Sequence, residues 1–166
     1  PLLVPLINTE LIKIIENYLG CYMKIINFHI YRNTSPKNSD LDKAFGSTGN
    51  WHNDGSTTES LKLFFMLDQV NKENGPMQIL SINDSRFVFK KRKYYFPDVN
   101  KETEKFIKKN LKPITLTGEK GSAFLALTNF SLHRATSPNK NKHRDLVVFY
   151  ITTSSKKISI KNQLES

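Results

Sequence analysis

The sequence predicts an antiparallel β-sandwich or β-barrel with one α-helix packed against its outside. Several short segments are rich in β-branched and aromatic residues, clusters of Asn, Asp, Gly and Ser separate them, and few segments have a helical pattern. A chain of 166 residues can bury a core without disulfides, and no linker divides it. We therefore expect a single domain over 1–166.

The first predicted element is a helix over 8–20. Asn8 or Thr9 can cap its N-terminus, Glu10 suits the positive end of the helix dipole, and Gly20 can end the helix. A strand is predicted next, over 22–33, because β-branched and aromatic residues dominate that segment. Strand alternation gives it one polar face, formed by Asn27, His29 and Tyr31.

The remaining elements follow from turn chemistry and apolar runs. The polar segment 34–50 is predicted as a loop, and the runs 61–70 and 77–82 as a hairpin joined by the turn 71–76. Further along the chain we expect a short helix over 98–111 within a connection, two short strands within 113–128 and a last strand over 144–155.

Composition limits the partners and the compartment. The net charge of +10 suits anionic partners, although the richness in Lys, Asn and Ile is also what A+T-rich coding produces. Cys21 is the only cysteine, which excludes an internal disulfide and favours a reducing, cytoplasmic location. No apolar window is long enough for a membrane span, and the first ten residues lack the basic region of a signal peptide.

The stretch "GNWHNDGST" (49–57) places a histidine and an aspartate two positions apart. On extended backbone, His52 and Asp54 point to the same face and can share one cation, whereas a plain surface turn is the alternative. His133 is the best third ligand because it is predicted to end an apolar strand, where the strand gives way to a loop, and His29 is a competitor. Two imidazoles and one carboxylate suit non-haem Fe(II) and leave positions open for a cosubstrate.

Arg144 follows His133 by eleven residues and begins the last predicted strand. A hairpin between them would return the guanidinium to the metal, where its planar fork could hold a dicarboxylate. A surface arginine at a strand start is the alternative.

These features together resemble a known family of enzymes. His52-x-Asp54, "ENGPMQIL" (73–80) and "LHRATSPNKNKHRDLVVFYI" (132–151) are similar, in type and order, to the Fe(II)- and 2-oxoglutarate-dependent oxygenases of the phytanoyl-CoA dioxygenase (PhyH-like) family. The resemblance covers a core of 22–153. It implies a double-stranded β-helix, the jelly roll of cupin-like proteins. Relatives have a longer portion before the His-x-Asp pair, so an N-terminal truncation is expected.

The resemblance also implies the roles of individual residues. His52, Asp54 and His133 would bind Fe(II), Arg144 would bind the distal carboxylate of 2-oxoglutarate, and O2 would complete the site. Lys62 is a second candidate for binding the cosubstrate. The polar face of the first strand would line the pocket, with His29 and Tyr31 toward the cosubstrate and Asn27 toward the substrate.

The expected reaction is hydroxylation of a C–H bond in a small, anionic metabolite, with release of succinate and CO2. Related halogenases have a small residue in place of Asp54, so the carboxylate favours hydroxylation. Two alternatives remain open: a non-catalytic jelly-roll module that binds nucleic acid or a glycan, and a cupin-like metalloenzyme that does not use 2-oxoglutarate.

Residues next to the ligands are predicted to line the substrate pocket. These are Trp51, Asn53, Ser56 and Arg134. The four basic residues 90–93 could grip phosphate, or could belong to a solvated loop. Nucleic acid is not the favoured partner, because "HRDLVVFYI" lacks the arginine and asparagine pattern of the nucleic-acid demethylases. The sequence does not predict an oligomeric state.

Overall fold

The computed structural model describes residues 3–35, 49–55, 61–92 and 99–164. Within these ranges the structure is mainly antiparallel β-sheet, as predicted. Most of the predicted loop 34–50, as well as Ser56 and Lys93, lies outside the described residues. The elements are α1 (Thr9–Leu19), β1 (Tyr22–Thr34), β2 (Leu61–Met66), β3 (Met77–Ile79), α2 (Ile82–Arg92), α3 (Lys101–Asn110), β4 (Ile114–Leu116), β5 (Ala123–Ala126), β6 (His133–Ala135), β7 (His143–Ser154) and α4 (Ile160–Leu164).

The strands form two sheets. The larger has the order β1-β7-β2-β5 and the smaller has the order β4-β3-β6. The backbone at His52 forms an antiparallel bridge with His133, which places an eighth extended segment beside β6. Eight extended segments divided between two antiparallel sheets form a double-stranded β-helix, or jelly roll. The predicted fold class is confirmed.

The two faces of the larger sheet have different partners. Residues on its outer face pack against α1, whose Ile15 is fully buried there with Leu63, Phe149 and Ile151. The inner face faces the smaller sheet, and Phe64 and Val148 are paired neighbours in the core between the two sheets. Because strand side chains alternate, β2 and β7 each contribute to both cores.

Helices α2 and α3 contribute to a third apolar cluster. Trp51 and Leu132 are buried there beside Val88 of α2 and Ile107 of α3. The residues that precede His52 and His133 in the chain are therefore buried in the same cluster. No helix in the described part of the chain is long and apolar enough to cross a membrane.

The predicted helices over 8–20 and 98–111 are present as α1 and α3, and the caps predicted for the first helix are confirmed. The side chain of Asn8 accepts a hydrogen bond from the backbone N–H of Leu11, and Gly20 ends α1 in the left-handed conformation. Asn100 caps α3 by accepting from the N–H of Thr103. The predicted strand over 22–33 is also present, with a β-bulge between Ile25 and Asn27.

The predicted hairpin of 61–70 with 77–82 is wrong. Strand β2 ends at Met66 and pairs with β5 and β7, whereas β3 belongs to the other sheet. A 3-10 turn over Lys72–Asn74, followed by Gly75 at φ 71°, carries the chain from one sheet to the other. The Asn-Gly turn therefore serves as a crossover between layers.

Segment 82–92 is a helix that the sequence prediction missed. Its buried side includes the small polar Ser85 as well as Val88, so the apolar stripe is weak. A start signal was present, because Ser81 and Asp84 form a capping pair in which Ser81 Oγ accepts from the N–H of Asp84.

The environment of His133 also differs from the prediction. The preceding strand β5 ends at Ala126, and His133 begins the separate strand β6. Strand β6 pairs with β3, while Arg144 lies on β7 in the other sheet, so the expected hairpin between His133 and Arg144 does not form. The two residues instead lie on opposite sheets of the jelly roll.

Candidate active site

Three side chains from two distant stretches of the sequence converge between the sheets. His52, Asp54 and His133 each offer one ligand atom, and these atoms lie within 4.8 Å of one another. Asp54 Oδ1 is 3.9 Å from His52 Nε2 and 3.6 Å from His133 Nε2. Two imidazoles and one carboxylate on one side of a cavity form a donor set that fits Fe(II), with positions left for other ligands.

Backbone hydrogen bonds fix the positions of these three candidate ligands. His52 N–H donates to the carbonyl of His133 at 3.0 Å, and His133 N–H donates back to the carbonyl of His52 at 2.9 Å. The N–H of Asp54 donates to the carbonyl of Thr128 at 3.2 Å. This pairing gives the extended backbone on which the side chains of His52 and Asp54 share a face.

Second hydrogen bonds orient both imidazoles. His52 Nδ1 lies 2.8 Å from the carbonyl oxygen of Asn50, and His133 Nδ1 lies 3.0 Å from that of Ser131. A carbonyl oxygen only accepts, so both Nδ1 atoms donate, and Nε2 is the ring atom that each histidine turns toward Asp54. Metal-binding histidines are commonly oriented in this way.

Lys62 contacts the other oxygen of the same carboxylate. Its Nζ lies 2.8 Å from Asp54 Oδ2 and 4.5 Å from the centre of the Tyr150 ring. Burial by itself would raise the pKa of Asp54, but hydrogen bonding and charge from His133, with hydrogen bonds from Lys62 and Thr128, hold it well below its usual range. Asp54 is therefore a carboxylate across the physiological pH range.

Arg144 is a buried cation on the opposite sheet. The residue is 4% exposed, its Nη1 donates to the carbonyl of Gly75, and its Nε has no hydrogen-bond partner among the described residues. No carboxylate among the described residues pairs with this guanidinium. Burial lowers the pKa of Arg144 to about 10, so the group remains charged at neutral pH.

A cavity of about 170 Å³ joins Arg144 to the three ligands. It opens between the sheets, and alternate residues of β7 form one of its walls. The lining residues are Tyr31, Asn33, His52, Asp54, Lys62, Phe64, Met77, His133, Ala135, Arg144, Leu146, Val148 and Tyr150.

The polar face of β1 continues outward from this cavity. The Tyr31 hydroxyl lies 3.1 Å from that of Tyr150, and burial is the largest cause that raises the pKa of Tyr31 above its usual value. His29 stacks on Tyr31 at 5.6 Å between ring centres, and its Nε2 lies 3.2 Å from Asn27 Nδ2. Asn27 and His29 are exposed and are not among the lining residues described above.

Three predicted substrate residues lie elsewhere. Trp51 is buried in the cluster with α2 and α3. Arg134 stacks on its ring and pairs with Glu104 at 2.9 Å, because neighbours of an inward-facing His133 point outward. Asn53 points away from its neighbours His52 and Asp54 for the same reason, and its Nδ2 donates to the carbonyl of Asn129.

Two polar residues of the cavity were not predicted from the sequence. Asn33 is opposite Arg144 in the β1–β7 register, and Tyr150 is opposite Lys62 in the β2–β7 register. The alternation of side chains along a strand, with a period of two residues, would have been enough to predict both. Asn33 continues the series of Asn27, His29 and Tyr31, and Tyr150 is six residues after Arg144 on the same face.

Solved structures of non-haem oxygenases share this fold. The chain is similar to EctD from S. alaskensis, solved with 2-oxoglutarate and 5-hydroxyectoine (TM-score 0.62, 13% identity, 95% of this chain and 52% of that one). It is also similar to the α-ketoglutarate-dependent epimerase SnoN from nogalamycin biosynthesis (TM-score 0.60, 11% identity, 90% of this chain and 54% of that one). An oxidoreductase of the 2OG-Fe(II) oxygenase family from Burkholderia pseudomallei also matches (TM-score 0.54, 10% identity, 95% of this chain and 58% of that one).

The chain spans just over half the length of these three proteins. At such identities the likeness establishes the jelly-roll fold alone. No family model and no curated protein matches the chain. The resemblance to the phytanoyl-CoA dioxygenase family therefore stays a prediction.

Proposed function

We propose that this chain is the catalytic core of an Fe(II)- and 2-oxoglutarate-dependent dioxygenase that hydroxylates a C–H bond of a small, anionic metabolite. His52, Asp54 and His133 would hold the metal, and Arg144 would bind the distal carboxylate of 2-oxoglutarate. The neighbours named as 2-oxoglutarate or α-ketoglutarate proteins support this kind of reaction.

The observation that carries the proposal is the buried guanidinium of Arg144. A desolvated cation is costly unless an anion compensates it, and among the described residues no carboxylate does so. A dicarboxylate that reaches from the metal ligands to Arg144 would supply the missing charge through bidentate hydrogen bonds. Neither a metalloenzyme without 2-oxoglutarate nor a plain binding module requires this arrangement.

Fe(II) would supply oxygen activation coupled to decarboxylation of 2-oxoglutarate to succinate and CO2. The protein's own residues orient the reactants and exclude water. The Nδ1 hydrogen bonds fix both imidazoles, Lys62 holds one oxygen of Asp54, and the apolar side chains of Phe64, Leu146 and Val148 line the cavity wall. We keep hydroxylation as the outcome because Asp54 occupies a ligand position that would otherwise be open.

The substrate would enter from the side of β1. Tyr31 and Asn33 lie in the cavity, and His29 and Asn27 extend the same polar face to the surface. The net charge of +10 supports an anionic substrate, and the single cysteine supports a cytoplasmic location.

An anaerobic titration tests the proposal. Fe(II) and 2-oxoglutarate added to the purified chain should produce the weak visible absorption band of an Fe(II)–2-oxoglutarate chelate. His133→Ala should abolish the band. His143→Ala is the matched control, because that imidazole lies outside the cavity, 3.8 Å from Asp68 and from Asp145. A wild-type chain without the band, or a His133→Ala variant that retains it, would contradict the proposal.

A further inference from the structure

The candidate cavity contains more positive than negative charge. Among its described lining residues, Lys62 and Arg144 are cations and Asp54 is the one carboxylate. Both cations are buried, Lys62 at 7% and Arg144 at 4% exposure. With neutral imidazoles, which metal ligation requires, the lining has a surplus of one positive charge before any metal is bound.

Lys62 and the metal would share a single carboxylate. Asp54 Oδ1 faces the two histidine Nε2 atoms at 3.6 and 3.9 Å, whereas Oδ2 is 2.8 Å from Lys62 Nζ. Oδ1 is therefore the oxygen available to a metal, and Oδ2 is already bound to an ammonium group. The negative charge of Asp54 is divided between two cations in a site that is largely shielded from water.

We propose that Lys62 couples metal binding to dicarboxylate binding, so that each ligand strengthens the other. The inference rests on the proposed function and goes beyond it. A divalent cation that enters alone meets two buried positive charges and only one carboxylate, part of whose charge is already neutralised. Binding of a dianion offsets this excess of positive charge and so strengthens metal binding. Because coupling between two sites is reciprocal, the metal strengthens binding of the dianion by the same factor. The metal is thus held weakly until the cosubstrate arrives.

A purely structural role for Lys62 predicts a different result. If the ammonium only oriented Asp54, its removal would weaken metal binding by the same factor with and without a dicarboxylate. If the ammonium opposes the metal, its removal should leave metal binding alone as tight or tighter and should reduce the strengthening by the dicarboxylate. The informative quantity is the ratio of the two metal dissociation constants.

The experiment is calorimetric titration of the purified chain with Mn(II), which binds without turnover. The titration is run without dicarboxylate, with 2-oxoglutarate and with glutarate. Glutarate has both charges but no keto oxygen, so it separates the effect of charge from direct chelation. We expect the wild-type Kd for Mn(II) to fall about tenfold or more with 2-oxoglutarate and severalfold with glutarate, within the range typical of coupled sites.

Variants at Lys62 decide the proposal. In Lys62→Met the glutarate effect and the 2-oxoglutarate effect should both shrink severalfold, while Lys62→Arg should retain both. Lys120→Met, which changes an exposed lysine between β4 and β5, is the matched control. Circular dichroism checks folding, and Lys62→Gln, which retains a hydrogen bond to Oδ2, replaces Lys62→Met if the latter unfolds.

Two outcomes would overturn the coupling. One is a Lys62→Met chain with the wild-type ratio of dissociation constants, and the other is an equal loss of Mn(II) affinity with and without dicarboxylate. Both differ from failure of the proposed function, which would appear as absence of the Fe(II)–2-oxoglutarate band in the wild type. An intact band with unchanged coupling would remove the role of Lys62 alone.

Discussion

His52 and His133 are joined by a reciprocal pair of backbone hydrogen bonds. Each N–H donates to the carbonyl of the other residue, at 3.0 and 2.9 Å. Two imidazoles from distant parts of the chain are thus fixed as neighbours by main-chain atoms, and their rings lie 4.3 Å apart between centres. The main chain therefore fixes the two residues as neighbours, and the Nδ1 hydrogen bonds orient their rings.

This arrangement predicts the tautomers of both rings. Because Asn50 and Ser131 offer only carbonyl oxygens to Nδ1, His52 and His133 should both carry a proton at Nδ1 and bind a metal through Nε2. Long-range ¹H–¹⁵N correlation spectra of the imidazoles measure this directly. Addition of Zn(II) should shift the two Nε2 resonances and leave the Nδ1 protons in place. Loss of either Nδ1 proton on metal addition would contradict the assignment.

Replacement of Arg144 should raise the stability of the ligand-free chain and lower its affinity for the cosubstrate. In Arg144→Met the ligand-free chain should gain about 1 kcal/mol or more in free energy of unfolding, because a buried cation without a carboxylate partner is removed. Affinity for 2-oxoglutarate should fall about 100-fold, through loss of a buried charged hydrogen bond.

Thermal unfolding with and without 2-oxoglutarate and Mn(II) measures both effects. Arg32→Met is the control, since that guanidinium is 66% exposed and pairs with Asp145 on the surface. An Arg144→Met chain that is still stabilised by 2-oxoglutarate to the wild-type extent would refute the role of Arg144.

Gly75 should tolerate no side chain. It has φ 71°, and a Cβ there would lie 2.5 Å from both Pro138 N and Thr136 O. Gly20 has φ 69° with open space around the same position, so Gly20→Ala carries only the left-handed strain, about 1–2 kcal/mol. Gly75→Ala should cost about 1–3 kcal/mol more than this control. Urea denaturation of the two variants gives the difference, and equal losses would show that the turn can relax.

Ser85 should stabilise the approach to His133. Its fully buried Oγ donates to the carbonyl of Ser81 and accepts from the N–H of Leu132, the residue before His133. Ser85→Ala leaves that N–H without its partner and should cost about 1–3 kcal/mol. Chemical denaturation measures the loss, with the exposed Ser155→Ala as control. A loss under about 0.5 kcal/mol would indicate that the N–H finds another acceptor.

Local sequence patterns predicted which segments form helices and strands better than they predicted which strands pair with each other. Helix caps at Asn8 and Asn100 and the β-branched runs of β1, β2 and β7 are local signals, and these elements were found. The two hairpins were not, because β2 and β3 lie in opposite sheets of the jelly roll, as do β6 and β7. The turn at Gly75 has the composition of a hairpin turn, and only the packing of Pro138 against it reveals the crossover.

The sequence likewise predicted part of the candidate site but not all of its contacts. The structure brings together His52, Asp54 and His133 as the spacing and the family resemblance suggested, and their role as ligands stays a prediction. Trp51 and Arg134 were predicted to line the substrate pocket because they are next to the histidines in sequence. This prediction is wrong, because residues beside an inward-facing histidine point outward. The ion pair of Lys62 with Asp54 had no sequence signal, since it depends on the approach of two separate segments.

The alternation of β7 limits how this protein can change during evolution. Arg144, Leu146, Val148 and Tyr150 form a wall of the cavity, whereas Val147, Phe149 and Ile151 between them complete the core under α1. Insertion or deletion of one residue in this strand would exchange the two sets and would remove function and stability in the same event. Length variation among natural variants should therefore be confined to the segments outside β7, while the strand itself accepts only substitutions.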